Sequence, residues 1–172
     1  MICYSYFSRD LDLSDSFLFD ELLCFIVDAK LPLKKLLPSN CQGFTFDGLS
    51  YLLSKYQTVL HLNLNGANFL SDDMIMKLAM FFPRLTFVNF SFCSKLTGLS
   101  FFTIIERCVS LRCMIIEGTN FVVEDYDNEL IVKSRIKFLY LSRNHNLCDE
   151  CLEKISRHCP FIDITPLYCI DC

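Results

Sequence analysis

The amino-acid sequence predicts an α/β solenoid, built from stacked strand–helix blocks with a parallel sheet along one side. Three observations predict it. First, equivalent positions recur at a fixed interval: Tyr56, Phe82, Cys108, Lys133 and Cys159 lie 26, 26, 25 and 26 residues apart. Second, each full block opens with the same apolar alternation, Val59/Leu62/Leu64, Leu85/Val88/Phe90, Leu111/Met114/Ile116 and Ile136/Leu139/Leu141. Third, a small or polar pair follows an apolar residue before each helical stretch, as in Leu70-Ser71-Asp72, Leu96-Thr97-Gly98 and Leu147-Cys148-Asp149. A period of 20–50 residues is the signature of stacked supersecondary units.

Each element follows from elementary chemistry. Alternating apolar residues over a few positions make a short strand with one buried face. The next landmark is small or compact: Cys41, Ala67, Cys93, Thr119, Asn144. Ser and Thr just ahead of an apolar run are helix N-caps. The apolar stripes Ile75/Leu78, Phe101/Ile104 and Leu152/Ile155 then face the strand. No block buries its own apolar face alone, so neighbours must stack.

The register divides the chain. Residues 1–12 form an N-terminal segment or partial cap, and 13–172 form the solenoid. The blocks run near 30–55, 56–81, 82–107, 108–132 and 133–158, with an incomplete 159–172. Leu13-Ser14-Asp15 reads as the helix start of a still earlier block. The fourth block is irregular: after Thr119 it holds Glu124, Asp125, Asp127 and Glu129 in place of a helix start. That segment reads as a loop with solvated carboxylates, or as a protruding acidic contact.

Composition excludes several classes. The chain has 172 residues, a single domain's worth. Hydrophobic residues make up 52% and charged residues 21%, which is not a disordered composition. A net charge of −4 and scattered Lys and Arg argue against a nucleic-acid partner. The longest apolar run, Leu22 to Val27, is far below the roughly 20 residues of a membrane span. No signal peptide is visible, so a cytoplasmic or nuclear protein is expected. Nucleophile-elbow, phosphate-loop and zinc-protease motifs are missing, so catalysis is not expected.

The blocks resemble cysteine-containing leucine-rich repeats, of the form C-P-x-L-x-x-L-x-L-x-x-C-x-x-I-T-D-x-G-L-x-x-I. The closest stretches are Phe82–Cys108 (FPRLTFVNFSFCSKLTGLSFFTIIERC) and Ile136–Pro160 (IKFLYLSRNHNLCDECLEKISRHCP). The resemblance extends over Leu13 to Cys172 and is to the ribonuclease-inhibitor-like solenoids of F-box/LRR proteins, with a plant-like texture. It implies a parallel concave sheet and a role in selecting protein targets for ubiquitin-dependent degradation. In such proteins a separate F-box docks on the Skp adaptor of a cullin ligase. Only about 12 residues precede the first repeat, too few for an F-box. The ligase connection would have to be supplied elsewhere, and a stand-alone scaffold or a truncated product is the alternative.

Side chains flanking the buried strand positions would project from the concave face. The candidate protein-binding residues are His61, Asn63, Phe87, Asn89, Ile115, Glu117, Phe138 and Tyr140. Exposed aromatics beside polar groups suit a protein interface. Strands favour aromatic and β-branched residues in any case.

Eleven cysteines carry a second reading. Cys148, Cys151, Cys169 and Cys172 form two C-x-x-C pairs with 17 residues between them, which matches zinc-site spacing. The competing reading is of compact structural thiols, because Cys41, Cys93, Cys108 and Cys159 occupy repeat landmarks. No cofactor is expected on that reading, with zinc and a redox pair as the minor alternatives.

Overall fold

The computed structural model describes residues 9–122 and 134–162. Six three-residue strands run β1 (Asp10–Asp12), β2 (Lys35–Leu37), β3 (His61–Asn63), β4 (Phe87–Asn89), β5 (Cys113–Ile115) and β6 (Phe138–Tyr140). The helices between and after them are α1 (Asp20–Asp28), α2 (Phe46–Lys55), α3 (Asp72–Leu78), α4 (Gly98–Arg107) and α5 (Asp149–His158). A 3-10 turn, Ala79–Phe81, extends α3. All neighbouring strands are parallel and the sheet order is the sequence order, β1 to β6.

Register explains the core. Leu11, Leu36, Leu62, Val88, Met114 and Leu139 pair in one row across the sheet. The four inner members of that row are fully buried. A second buried row, Leu64, Phe90, Ile116 and Leu141, lies two residues on, as a period of two requires. The helices bury Leu49, Leu52, Ile75, Leu78, Phe101 and Ile104 against these rows. Phe121 packs edge-on against Phe101, ring centroids 5.8 Å apart. Among the described residues no helix is long and apolar enough to cross a membrane.

The backbone turns left-handed once per repeat, just beyond each strand. The residues are Asp15, Asn40, Gly66, Phe92, Gly118 and Arg143, with φ between 53° and 76°. The N–H groups of the first five carry the sheet ladder one step further, as in Asn40 N–H to Asn65 O at 2.7 Å and Phe92 N–H to Glu117 O at 2.7 Å. Asp, Asn and Gly take this conformation readily, whereas Phe92 and Arg143 are strained in it. Gly118 is needed for a further reason: a Cβ there would lie 2.8 Å from the Phe92 ring.

Two helix starts are tied to the helix before them. The Thr97 side chain accepts from Leu99 N–H, 3.1 Å away, as an N-cap. Its own N–H and hydroxyl donate to Asp72 of α3, at 3.0 and 2.9 Å, and buried Ser100 donates to the same carboxylate. Thr45 of α2 repeats the arrangement with Asp20 of α1, at 2.8 and 2.6 Å. Ser71 and Cys148 also stand at the N-cap position, without a side-chain capping bond.

The amino end departs from expectation. Leu13-Ser14-Asp15 is not a helix start. Ser14 N–H and hydroxyl both donate to Asp12 Oδ1, at 3.0 and 2.6 Å, and close a turn. Asp15 N–H then donates to Ser39 O, and the helix begins five residues later, at Asp20. The sheet itself begins at Asp10, inside the segment 1–12 that the repeat pattern leaves as a cap. The carboxylates Glu124, Asp125, Asp127 and Glu129 lie outside the described residues.

Candidate interaction face of the sheet

The residues flanking each buried strand centre point away from the helices and line the sheet's open face. One column runs Asp10, Lys35, His61, Phe87, Cys113, Phe138, and the other Asp12, Leu37, Asn63, Asn89, Ile115, Tyr140. Their character changes along the sheet. Asp10 and Lys35 form an ion pair at 2.8 Å at one end. His61 stacks on Phe87 in the middle, centroids 5.5 Å apart and planes 22° apart. Cys113, Ile115, Phe138 and Tyr140 make an apolar stretch at the other end, where the last two are 43% and 42% exposed.

Charge and burial tune this surface. The pKa of His61 lies below its ordinary value, chiefly because burial disfavours the imidazolium and then because of the Lys35 ammonium, with Asp10 opposing. The ring is therefore neutral at pH 7. Asp12 is held below the usual carboxylate range by the hydrogen bonds from Ser14. Burial pushes the Cys113 thiol up, so it presents S–H rather than thiolate.

Some candidate residues have a duty within the fold. Asn63 Oδ1 accepts from Asn65 N–H at 3.1 Å, and Asn89 Oδ1 accepts from Ser91 N–H at 2.8 Å. These are the turns that Asp12 makes in the first repeat, and they end the strands. Glu117 is half-buried, and its N–H donates to Ser91 Oγ at 3.3 Å. Ser39 and Ser91, at the repeat position equivalent to Glu117, are buried. Phe87, Ile115, Phe138 and Tyr140 have no such bond among the described contacts. One aromatic escaped the sequence reading: Phe92, 42% exposed beside the sheet, carries the Arg143 guanidinium over its ring at 5.7 Å. Its left-handed backbone left no trace in the apolar pattern.

The cysteines separate into two kinds. Cys41 and Cys93 donate across repeats to Leu13 O and Leu64 O, at 2.8 and 3.3 Å. Asn144, in the same position two repeats after Cys93, does the same to Ile116 O at 2.7 Å. Burial pushes the thiols of Cys93, Cys108 and Cys159 up to about 12. Cys148 and Cys151 differ, with Sγ atoms 3.2 Å apart. Hydrogen bonds from Cys151, backbone first, hold the exposed Cys148 thiol below its ordinary value. Cys169 and Cys172 lie outside the described residues, so the four-cysteine arrangement is not placed. Among the described residues, no group of three or more His, Cys, Asp or Glu side chains is set to hold a metal ion.

No protein-family model matches the chain. The DNA repair protein RAD7 of Saccharomyces cerevisiae is 26% identical to it over 132 residues, 76% of this chain and 19% of RAD7. The chain thus spans about a fifth of the length of that curated relative. Among solved structures, the yeast Rad7 and Elc1 complex matches with a TM-score of 0.50 at 20% identity, over 79% of this chain and 36% of the matched one. That likeness is one of fold. Together with the repeat register and the six-stranded parallel sheet, it makes the chain an α/β leucine-rich-repeat solenoid.

Proposed function

We propose that the chain is a non-catalytic protein-recognition module that holds a protein target on the open face of its sheet. In this reading it is the target-selecting part of an F-box/LRR-type receptor in ubiquitin-dependent degradation. The observation that carries the proposal is the graded strip from the Asp10–Lys35 ion pair, through His61 and Phe87, to Phe138 and Tyr140. Half-exposed aromatics on a rigid sheet lose little entropy on binding and serve as anchors. The charged end sets the direction of the bound chain. Such a strip suits a partner with an apolar end and a polar end.

The ligase connection rests on the resemblance of the repeats and on the likeness to a protein solved in complex with Elc1. On this reading the Skp adaptor and a cullin are the ligase partners. RAD7 is a DNA repair protein, which favours the nucleus as the place of action. No cofactor is needed for this role.

The test compares three forms of the 172-residue chain in affinity purification: wild type, F138A/Y140A, and M76A on the exposed side of α3. The expected result is a defined partner kept by wild type and M76A and lost by the double variant. A partner set unaffected by F138A/Y140A would refute the use of this face. Recovery of the Skp adaptor supports the ligase role. Its absence from folded samples would leave a recognition module alone.

A further inference from the structure

Eight cysteines fall among the described residues. Five of them, Cys41, Cys93, Cys108, Cys151 and Cys159, are buried, while Cys24 and Cys148 are exposed. Cys148 and Cys151 pair one of each kind. Cys148 is the N-cap of α5, with extended backbone at φ −113° and ψ 169°, and Cys151 stands in the first turn. This is the geometry in which N-cap and N3 side chains meet in a capping box. Here it sets two sulfurs 3.2 Å apart, about 1.2 Å more than a disulfide bond. Cys148 is exposed, whereas Cys151 is 3% exposed, so reagents from solution meet Cys148 first. Hydrogen bonds from Cys151 favour the Cys148 thiolate, and the Glu150 carboxylate in the same turn opposes it.

We propose that Cys148 and Cys151 form a thiol–disulfide exchange site that takes a low-molecular-weight disulfide of the glutathione class as oxidant. The Cys148 thiolate attacks one sulfur of the small disulfide. That S–S bond breaks, and one small thiolate leaves and takes up a proton. Cys151 then gives up its proton and attacks Cys148 Sγ in the mixed disulfide. The second small thiol departs, and a Cys148–Cys151 bond remains. The pair has lost two electrons and the oxidant has become two thiols. The bridge closes a loop within one helical turn, so it constrains the fold little. Its effect is chemical: it removes an exposed nucleophile beside the last described repeat.

The test equilibrates the full chain in glutathione buffers of graded ratio, with and without prior chelator treatment. Acid quenching, alkylation in denaturant and peptide mass spectrometry follow. Under the proposal, Cys148 and Cys151 lose their alkyl labels together, reversibly, while Cys93, Cys108 and Cys159 still take theirs. Exposed Cys24 serves as an unpaired reference. In C151S the reaction stops, and Cys148 carries a glutathionyl group at least tenfold more often than Cys24. Four results would overturn the proposal. They are full labelling of Cys148 in every buffer, a wild-type reaction that stops at the mixed disulfide, a bridge from Cys148 to another cysteine, and a bridge that forms only after chelation. The last would assign the pair to a metal instead.

Discussion

Replacing Asn144 with Ala should be among the most damaging single changes outside the apolar core. The side chain is 6% exposed and uses its whole amide. Nδ2 donates to Ile116 O at 2.7 Å and Leu141 O at 2.8 Å. Oδ1 accepts from Thr119 N–H and from Thr119 Oγ1, both at 2.8 Å. Four bonds at a net of about 1 kcal/mol each give a loss of about 4 kcal/mol, with the stranded carbonyls as the main contributors. N144C offers a graded control, because Cys41 and Cys93 make one of these bonds from the same position. It should recover about 1 kcal/mol of the loss. The assay is urea unfolding, with hydrogen exchange at the Thr119 amide as a local readout. Repeat proteins need not unfold in one step, and that amide reports the junction directly. A cost below about 0.5 kcal/mol for N144A, the range of ordinary surface changes, would refute the reasoning. So would unchanged protection of Thr119.

Other substitutions test separate parts of the account. Gly48 lies in α2, where alanine usually gains about 1 kcal/mol. Here its Cβ would strike the Asp20 carboxylate that holds Thr45, so G48A should lower the urea midpoint instead. Lys35 and burial both lower the pKa of His61, so K35M should raise it, read by NMR titration of the ring. In wild type the folded pKa lies below the unfolded one. The His61 contribution is therefore present above the ordinary value of 6.5 and is lost as pH falls through that value toward the folded pKa. S14A removes the hydroxyl that lowers the pKa of Asp12. The carboxyl should titrate higher, and the stability it adds above its unfolded pKa, lost on acidification through the folded one, should shrink.

The repeat period was legible because the apolar rows cannot move without exposing the core. Four of the strands, β3 to β6, carry the alternation that the spacing predicts, and β2 lies within the block 30–55. β1 was not legible although Leu11 and Leu13 alternate as in the later strands, because Leu13-Ser14-Asp15 reads as a helix start and the strand falls outside the repeat register. The ties between repeats escaped for a different reason. Asp20 and Asp72 look like ordinary acidic first-turn residues, and their partners Thr45 and Thr97 like ordinary caps. Only stacking reveals that each pair is one structure. Likewise, Asn63 and Asn89 read as display positions until their turn bonds are seen. The open-face columns follow from alternation, but which members are spare for a partner depends on such bonds.

The left-handed residue after each strand also bears on how the chain tolerates changes of length. It recurs at intervals of 25, 26, 26, 26 and 25 residues, always in the same place relative to its strand, so the extra or missing residue is absorbed on the return path. Strand and turn act as a ruler, and the helical side supplies the slack. A reporter peptide spliced between Ala29 and Lys30, both exposed after α1, lengthens only a return path. A single residue added between Ser91 and Phe92 would put every later rung out of step. For engineering, the scaffold is addressable from its helical side and closed to insertion along its sheet.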